Sequence, residues 1–396
     1  MKSSGLVVAD HRAAALYQVT GNVAARIDTG TPAEHAGVLT LPAGDGWAFA
    51  DDLRGELVVH GDGRRHAIPI AIPAEHIACD PIGRYVAVTT GTGADPEPWS
   101  DLVTVVDLRS DEVARVRCRT GEPGVTIVPD QSTGRLHVVL RHRAPGAVEA
   151  IPLDDILGAG PHVPVVRGAI IDDIAHDGHG DVVDPRSGLI GVATGRGLER
   201  FVVERGVPRA IGLVEWPVPG RSYYLRSDSE DGVALGVVRG GPPDPSSWID
   251  WTNHLVAVDL QNGGIDVLSL PGGMAFRFGE GGRRAAVATI HPDGDTLTSV
   301  RRDSAGFCTA ETLELPPLSN PPTPGRVPWD VSGAGPAQRR SVAVDPTGTW
   351  IAVTRGGDGE IHLIDDRTMT TVSVPTDLDE GGQVFWPGGR SDLIGR

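Results

Sequence analysis

Two copies of one tetrapeptide stand out in this chain of 396 residues: Pro32-Ala33-Glu34-His35 and Pro73-Ala74-Glu75-His76, 41 residues apart. Each sets an acid beside an imidazole ahead of an apolar stretch. Imidazoles with carboxylates nearby supply a general base and its orienting partner, or ligands for a first-row metal. A third histidine, His179, lies in "HDGHGDVVD", and Glu122 lies in "GEPGV". His35, His76, His179, Glu75 and Glu122 are therefore candidate catalytic residues, and the three histidines are candidate ligands for a divalent cation. A second group is aromatic. The segments "TGADPEPWSD" (92–101) and "GGPPDPSSWIDWTNH" (240–254) both run Asp-Pro, Trp, Asp, and Trp329 ends the Pro-rich stretch "PPLSNPPTPGRVPW" (316–329). Trp99, Trp248, Trp251 and Trp329, with Tyr223 and Arg340, are candidate substrate contacts, since indole and phenol rings offer broad apolar area with one polar handle.

The elements that must carry these residues are strands. "CDPIGRYVAVTTG" (79–91), "VDPRSGLIGVATG" (183–195) and "VDPTGTWIAVTRG" (344–356) share one order: apolar, Asp-Pro, glycine, then an alternating strand ending in Thr or Arg and Gly. Proline presets the first central position of a turn and glycine accepts positive φ, so each marks a hairpin. Weaker copies at 41–50, 128–140, 226–238, 278–289 and 385–395 bring the count to eight. Third strands follow, often ending in an acid ("LVTVVDL", "HLVAVDL", "IHLIDD"), and then fourth strands ("EVARVRC", "GIDVLSL", "TTVSVPT"). Four antiparallel strands per unit of this length is the arithmetic of a β-propeller blade. The N-terminal "GLVVADH", "AALYQVT" and "NVAARIDT" lack a first partner, which the C-terminus can supply. The spacing predicts an all-β chain, one propeller domain over 1–396 with eight four-stranded blades and seven as the alternative, closed by both termini in one blade. Helix is confined to a turn or two at "LDDILGAG" (153–160).

Over essentially its whole length the chain resembles the broad superfamily of WD40-like, YVTN-like and lactonase-like propellers. The hairpin grammar carries that resemblance; the Trp-Asp dipeptide that closes WD40 blades is replaced by "VVDL", "AVDL" and "LIDD". It implies that loops entering the innermost strands, and loops joining second to third strands, share the face where propeller ligands are usually found. His35, His76, Glu122 and His179 precede or enter innermost strands, as do Arg221, Tyr223, Arg339, Arg340 and Gln383 in later units. The carotenoid-cleaving oxygenases are similar in holding a metal with histidines from several blades, but no fourth histidine stands at the matching step here; His162 and His176 fall in loops. Register opposes simple convergence too. His76 is four residues before the Asp of its turn and His179 five, and one residue reverses a strand side chain. Counted that way, Glu75 matches His179, and only a bulge would bring His76 round. The structural alternative is a histidine that hydrogen-bonds within its blade, as in WD40 units, and a tryptophan that plugs an inter-blade groove, which suits Trp47, Trp350 and Trp386.

Composition sets the outer bounds. The 53 glycines and 32 prolines are spread evenly, as many short strands and tight turns require. A formal charge of -17 opposes non-specific nucleic-acid binding. Cys79, Cys118 and Cys308 form no disulfide or zinc-knuckle pattern, and no run approaches the roughly 18 apolar residues of a membrane span. The expected setting is cytoplasmic, without membrane or nucleic-acid partners. The expected activity is lyase, cyclase or hydrolase chemistry on an aromatic or hydrophobic small molecule in a Trp-lined pocket. The alternative is a non-catalytic scaffold that grips a protein or peptide on that face.

Overall fold

The Asp-Pro turns fold as their composition dictates. Asp80 accepts hydrogen bonds from the backbone N–H of Tyr85 at 2.6 Å and Ile82 at 3.3 Å, and Gly83 takes φ +71°. Asp345 does the same for Trp350 and Thr349, and Asp130 for Ser132 and Thr133. Each carboxylate is buried and accepts from its own turn, with Asp130 also taking the Gly206 N–H of the next blade, so the hairpin geometry is set largely by local bonds.

The computed structural model describes residues 5–42, 46–61, 63–93, 97–228, 231–275, 277–329, 336–366 and 368–387. Its strands form eight four-stranded antiparallel sheets arranged as the blades of a propeller. Seven are sequential. The first, for example, orders Val38–Thr40, Trp47–Asp51, Glu56–Gly61 and Arg64–Pro69, and the second Ala74–Cys79, Tyr85–Thr90, Asp101–Asp107 and Glu112–Cys118. The third to seventh blades begin with Gly124–Pro129, Gly180–Asp184, Arg221–Asp228, Phe278–Gly281 and Val342–Val344. The eighth is shared: C-terminal Gln383–Phe385 pairs with N-terminal Leu6–Asp10 in the register Val7↔Phe385 and Ala9↔Gln383, and Ala15–Thr20 and Val23–Asp28 complete it. The expected count of eight and the closure by both termini are what is found, and this closure leaves no open sheet edge at the join. Of the C-terminal hairpin expected at 385–395, residues 388–396 lie outside the described set.

First strands pack against first strands of neighbouring blades and so line the central channel. Inner and second strands are covered on both faces, which is why Trp47–Asp51 is buried at every position while the outer Arg64–Pro69 buries only Ile68. The core is a set of inter-blade clusters, such as Ala87, Val105 and Val116 against Ile127, Val138 and Leu140. Among the described residues, helix is limited to Leu153–Leu157 and two 3-10 turns, and no described helix is long and apolar enough to cross a membrane.

Candidate functional site at the channel mouth

The two tetrapeptide copies fold differently and meet. The first forms a turn before Val38–Thr40, leaving Glu34 and His35 exposed. The second enters the inner strand of the second blade, where the ladder pairs Ala74 with Thr90 and His76 with Thr89, leaving Glu75 as an extra residue. This bulge buries both Glu75 and His76. Gly91, the glycine ending the next strand, makes room for it: a Cβ there would lie 2.6 Å from a Glu75 oxygen. Glu75 Oε1 then accepts from His35 Nδ1 at 2.7 Å, joining the histidine of one copy to the acid of the other. That bond is the main cause raising the His35 pKa above its ordinary value.

The bulge also settles the register problem. It absorbs one residue, and His76 lies near enough to His179 and His35 for their charges to interact. Burial, then the positive charge of Arg141, pushes the His76 pKa well below 6.5. No hydrogen bond to its ring is formed among the described residues, although the residue is only 5% exposed. His179, immediately before Gly180–Asp184, meets the Tyr223 ring edge-on at 5.5 Å, and burial lowers its pKa to about 4. Glu122, at φ +56°, pairs with Arg143 at 2.7 Å. One wall of the mouth thus carries a half-exposed imidazole whose pKa is raised by Glu75 beside two whose pKa values are lowered by burial.

The opposite wall is cationic and aromatic. Tyr223 and Tyr224 occupy a break in register between Ser222 and Leu225. The Arg221 and Arg239 guanidiniums both lie over the Tyr223 ring, at 4.7 and 4.4 Å from its centroid, and Arg239 also covers Trp251 at 3.9 Å. Burial raises the Tyr224 pKa to about 12 against the pull of Arg277, Arg339 and Arg239, so it stays a phenol. Arg277, directly before Phe278–Gly281, donates to the Gly382 carbonyl at 2.6 Å; burial and then the Arg339 charge lower its pKa to about 9. Arg339 pairs with Glu380 and lies 3.8 Å from Glu34. His11, in the turn between the two N-terminal strands of the closing blade, donates Nδ1–H to the Pro32 carbonyl at 2.6 Å; burial lowers its pKa to about 4.

Several expected contacts have other neighbours. Arg340 turns away from Arg339, its neighbour in sequence. Its side chain is 1% exposed, held by Asp295 at 2.7 Å and by the carbonyls of Thr354 and Pro316, which tie down the Pro-rich segment. Trp248 is 1% exposed, packed with Met274, Ile290 and Leu318, and so presents no face to a ligand. Trp99 carries Arg167 at 4.6 Å, so the two loops share a face by topology while their indoles have different neighbours. Trp251 is buried and reaches the site only through Arg239. Trp329 keeps 43% of its surface exposed. The acids of "HDGHGD" are committed to arginines: Asp181 accepts two bonds from Arg141, at 2.8 and 3.0 Å, and Asp177 lies 3.2 Å from Arg221. Among the described residues, no three His, Cys, Asp or Glu side chains are grouped to hold a metal ion.

Sequence reasoning missed Arg277, His11, Arg143 and Arg239. Arg277 was within reach, because it occupies the place before its inner strand that His179 occupies two blades earlier. His11 and Arg143 sit in turns between second and third strands, where no pattern repeats.

No family profile and no curated protein matches the sequence. Among solved structures the chain is similar to AztD from Citrobacter koseri, at 13% identity and TM-score 0.64 over 96% of each chain. It is also similar to the dihydro-heme d1 dehydrogenase NirN in complex with DHE, at 15% identity and TM-score 0.59, over 97% of this chain and 75% of that one. A 6-phosphogluconolactonase-like protein from Bacteroides uniformis aligns at 12% identity and TM-score 0.48, over 97% of this chain and 100% of the other. At such identities the likeness to AztD and NirN bears on the propeller fold alone and leaves the reaction open.

Proposed function

We propose that the protein binds a small ring-bearing molecule at this channel mouth and transforms it by general acid–base catalysis. The observation that carries the proposal is the split among the imidazoles. His35, held by Glu75, favours its protonated form, while His76 and His179 are kept neutral. Groups whose environments push their pKa values apart are the pattern of an acid and a base working in one site. His76, with no hydrogen bond to its ring from the described residues, would take a proton from the bound molecule. The His35 imidazolium, oriented by Glu75, would return one to a leaving or rearranging group. Tyr223, whose ring carries two guanidiniums and touches His179, sets a cationic and aromatic wall next to the base. This reaction class spans lyase, cyclase and hydrolase chemistry.

The test is a turnover screen of small aromatic substrates at neutral pH with wild type, His76→Gln and Glu75→Gln. The expected outcome is activity abolished by the first change and shifted in pH dependence by the second. Activity unaffected by His76→Gln would overturn the assignment of the base.

A further inference from the structure

The two tetrapeptide copies share more than an acid beside an imidazole. In each, the alanine N–H is given to one short segment, residues 50–52, where the second strand of the first blade enters its turn. Ala33 donates to the Ala50 carbonyl at 2.7 Å, and Pro32 before it forms an isolated bridge with Asp51. Ala74 donates to Asp52 Oδ1 at 2.9 Å. The first contact is backbone to backbone and needs no particular side chain. The second crosses from the second blade to the first and needs an acceptor on residue 52. The support itself is firm. Asp51 is fully buried, its Oδ1 accepts the N–H groups of Leu53 and Arg54 at 3.1 and 3.2 Å, and its carbonyl accepts from Gly55 at 2.8 Å. Asp52 is half-buried, and among the described residues its hydrogen bonding is the one contact with Ala74. Burial raises its pKa, so the carboxylate is kept there at a cost to its charged form.

What that contact governs is the bulge. Ala74 is in register with Thr90, and Glu75 is the extra residue that follows. One residue of slip in a strand turns every later side chain to the other face. Gly91 leaves the room for Glu75, and Asp52 holds the residue before it. Glu75 Oε1 then meets His35 Nδ1 at 2.7 Å, and His76 returns to the ladder opposite Thr89. We infer that Asp52 is a positioning residue of the mouth: its bond to the Ala74 N–H fixes the bulge that brings Glu75 to His35 and turns His76 inward. The doubled tetrapeptide thus meets on one support, with the histidine of the first copy and the acid of the second set at bonding distance by residues 50–52. The catalytic consequence rests on the acid–base reading proposed above; the geometric one does not.

Long-range 1H–15N NMR titration of His35 tests it, in wild type, Asp52→Ala, Asp52→Ser and Asp52→Asn. The carboxylates that raise the His35 pKa are Glu75, first through its hydrogen bond, then Glu122 and Asp52 through their charge. Asp52→Asn removes the charge and keeps an acceptor for Ala74. Asp52→Ala removes both, and so does Asp52→Ser, whose hydroxyl is one atom too short. The His35 pKa is expected to fall toward 6.5 in the alanine and serine variants and to stay near the wild-type value in the asparagine variant. For a substrate found by the screen above, kcat should fall about tenfold or more in the first two, with KM little changed, and recover in the third, as for displaced catalytic groups. An equal fall in all three variants would make Asp52 a charge acting through space, and overturns the positioning role. An unmoved His35 in Asp52→Ala and Asp52→Ser overturns it as well, and a lowered melting temperature alongside would mark a merely structural residue. His35 shifting as expected while turnover is untouched upholds the positioning and removes the acid–base reading instead.

Discussion

The two faces of the ring handle buried charge in opposite ways. On the hairpin face, Asp80, Asp184 and Asp345 are each buried and each satisfied within a few residues by the turn they belong to. The device is local and repeated. At the channel mouth, charges are paired across blades: His35 with Glu75, Arg141 with Asp181, and Arg339 with Glu380. Beyond the doubled tetrapeptide, these pairings do not recur from blade to blade. A carboxylate that saturates its own turn holds the fold up, whereas a polar group that depends on distant partners, or lacks one, is held by the fold for another purpose.

This contrast can be broken by mutation. The largest losses of stability belong to side chains that resemble site residues in sequence but are packed like core. Trp248→Ala is expected to cost about 3–5 kcal/mol, read by denaturant unfolding, because it empties the cluster of Met274, Ile290 and Leu318. Arg340→Ala should cost about 3–5 kcal/mol by stranding Asp295 as an unpaired buried charge. Neither change should alter the ligand affinity of the folded protein; equal losses of binding and stability would merge the two classes. Next come the turn acids. Asp80→Ala should cost about 1–3 kcal/mol through unsatisfied backbone donors, again without effect on binding. His76→Gln should cost less than about 1 kcal/mol, since no hydrogen-bonded partner is left behind among the described residues.

Proton linkage sharpens the same division. His11 and His179, with pKa values near 4, and His76, His60 and His362, also lowered, refuse protons that the unfolded chain accepts near 6.5. Stability should therefore fall as pH drops from about 6.5 toward 4. Depressed carboxylates such as Asp28 and Asp107 add their loss only below their ordinary value of 3.8. His35 acts in the other direction, contributing fully below 6.5 and less as pH rises through its elevated pKa. Melting temperatures measured across this range should decline before the carboxylates titrate, and His11→Gln should flatten part of the slope. A curve level down to pH 4 would mean that the channel histidines are not held neutral.

The hairpin face was legible in the sequence because the three Asp-Pro turns encode themselves; with five weaker copies they gave the blade count, and the unpartnered N-terminal strands gave the closure by both termini. The mouth was legible only where repetition reached it. Duplication marked His35, Glu75 and His76, but the bulge that turns His76 inward is set by the room Gly91 leaves in the adjacent strand. Strand alternation alone could not say which of Arg339 and Arg340 enters the channel. The tryptophans misled because their shared Asp-Pro order reflects shared loop topology, while their burial is decided by the Pro-rich segment and by neighbouring strands remote in sequence.

The central claim is the acid–base split at the mouth, and a pH titration of the imidazoles by long-range 1H–15N correlation NMR tests it without any ligand. The account predicts that His35 titrates above 6.5 and returns toward that value in Glu75→Gln, while His76 remains neutral throughout the range in which His35 gains its proton. His76 titrating together with His35, or His35 unmoved by Glu75→Gln, would contradict it.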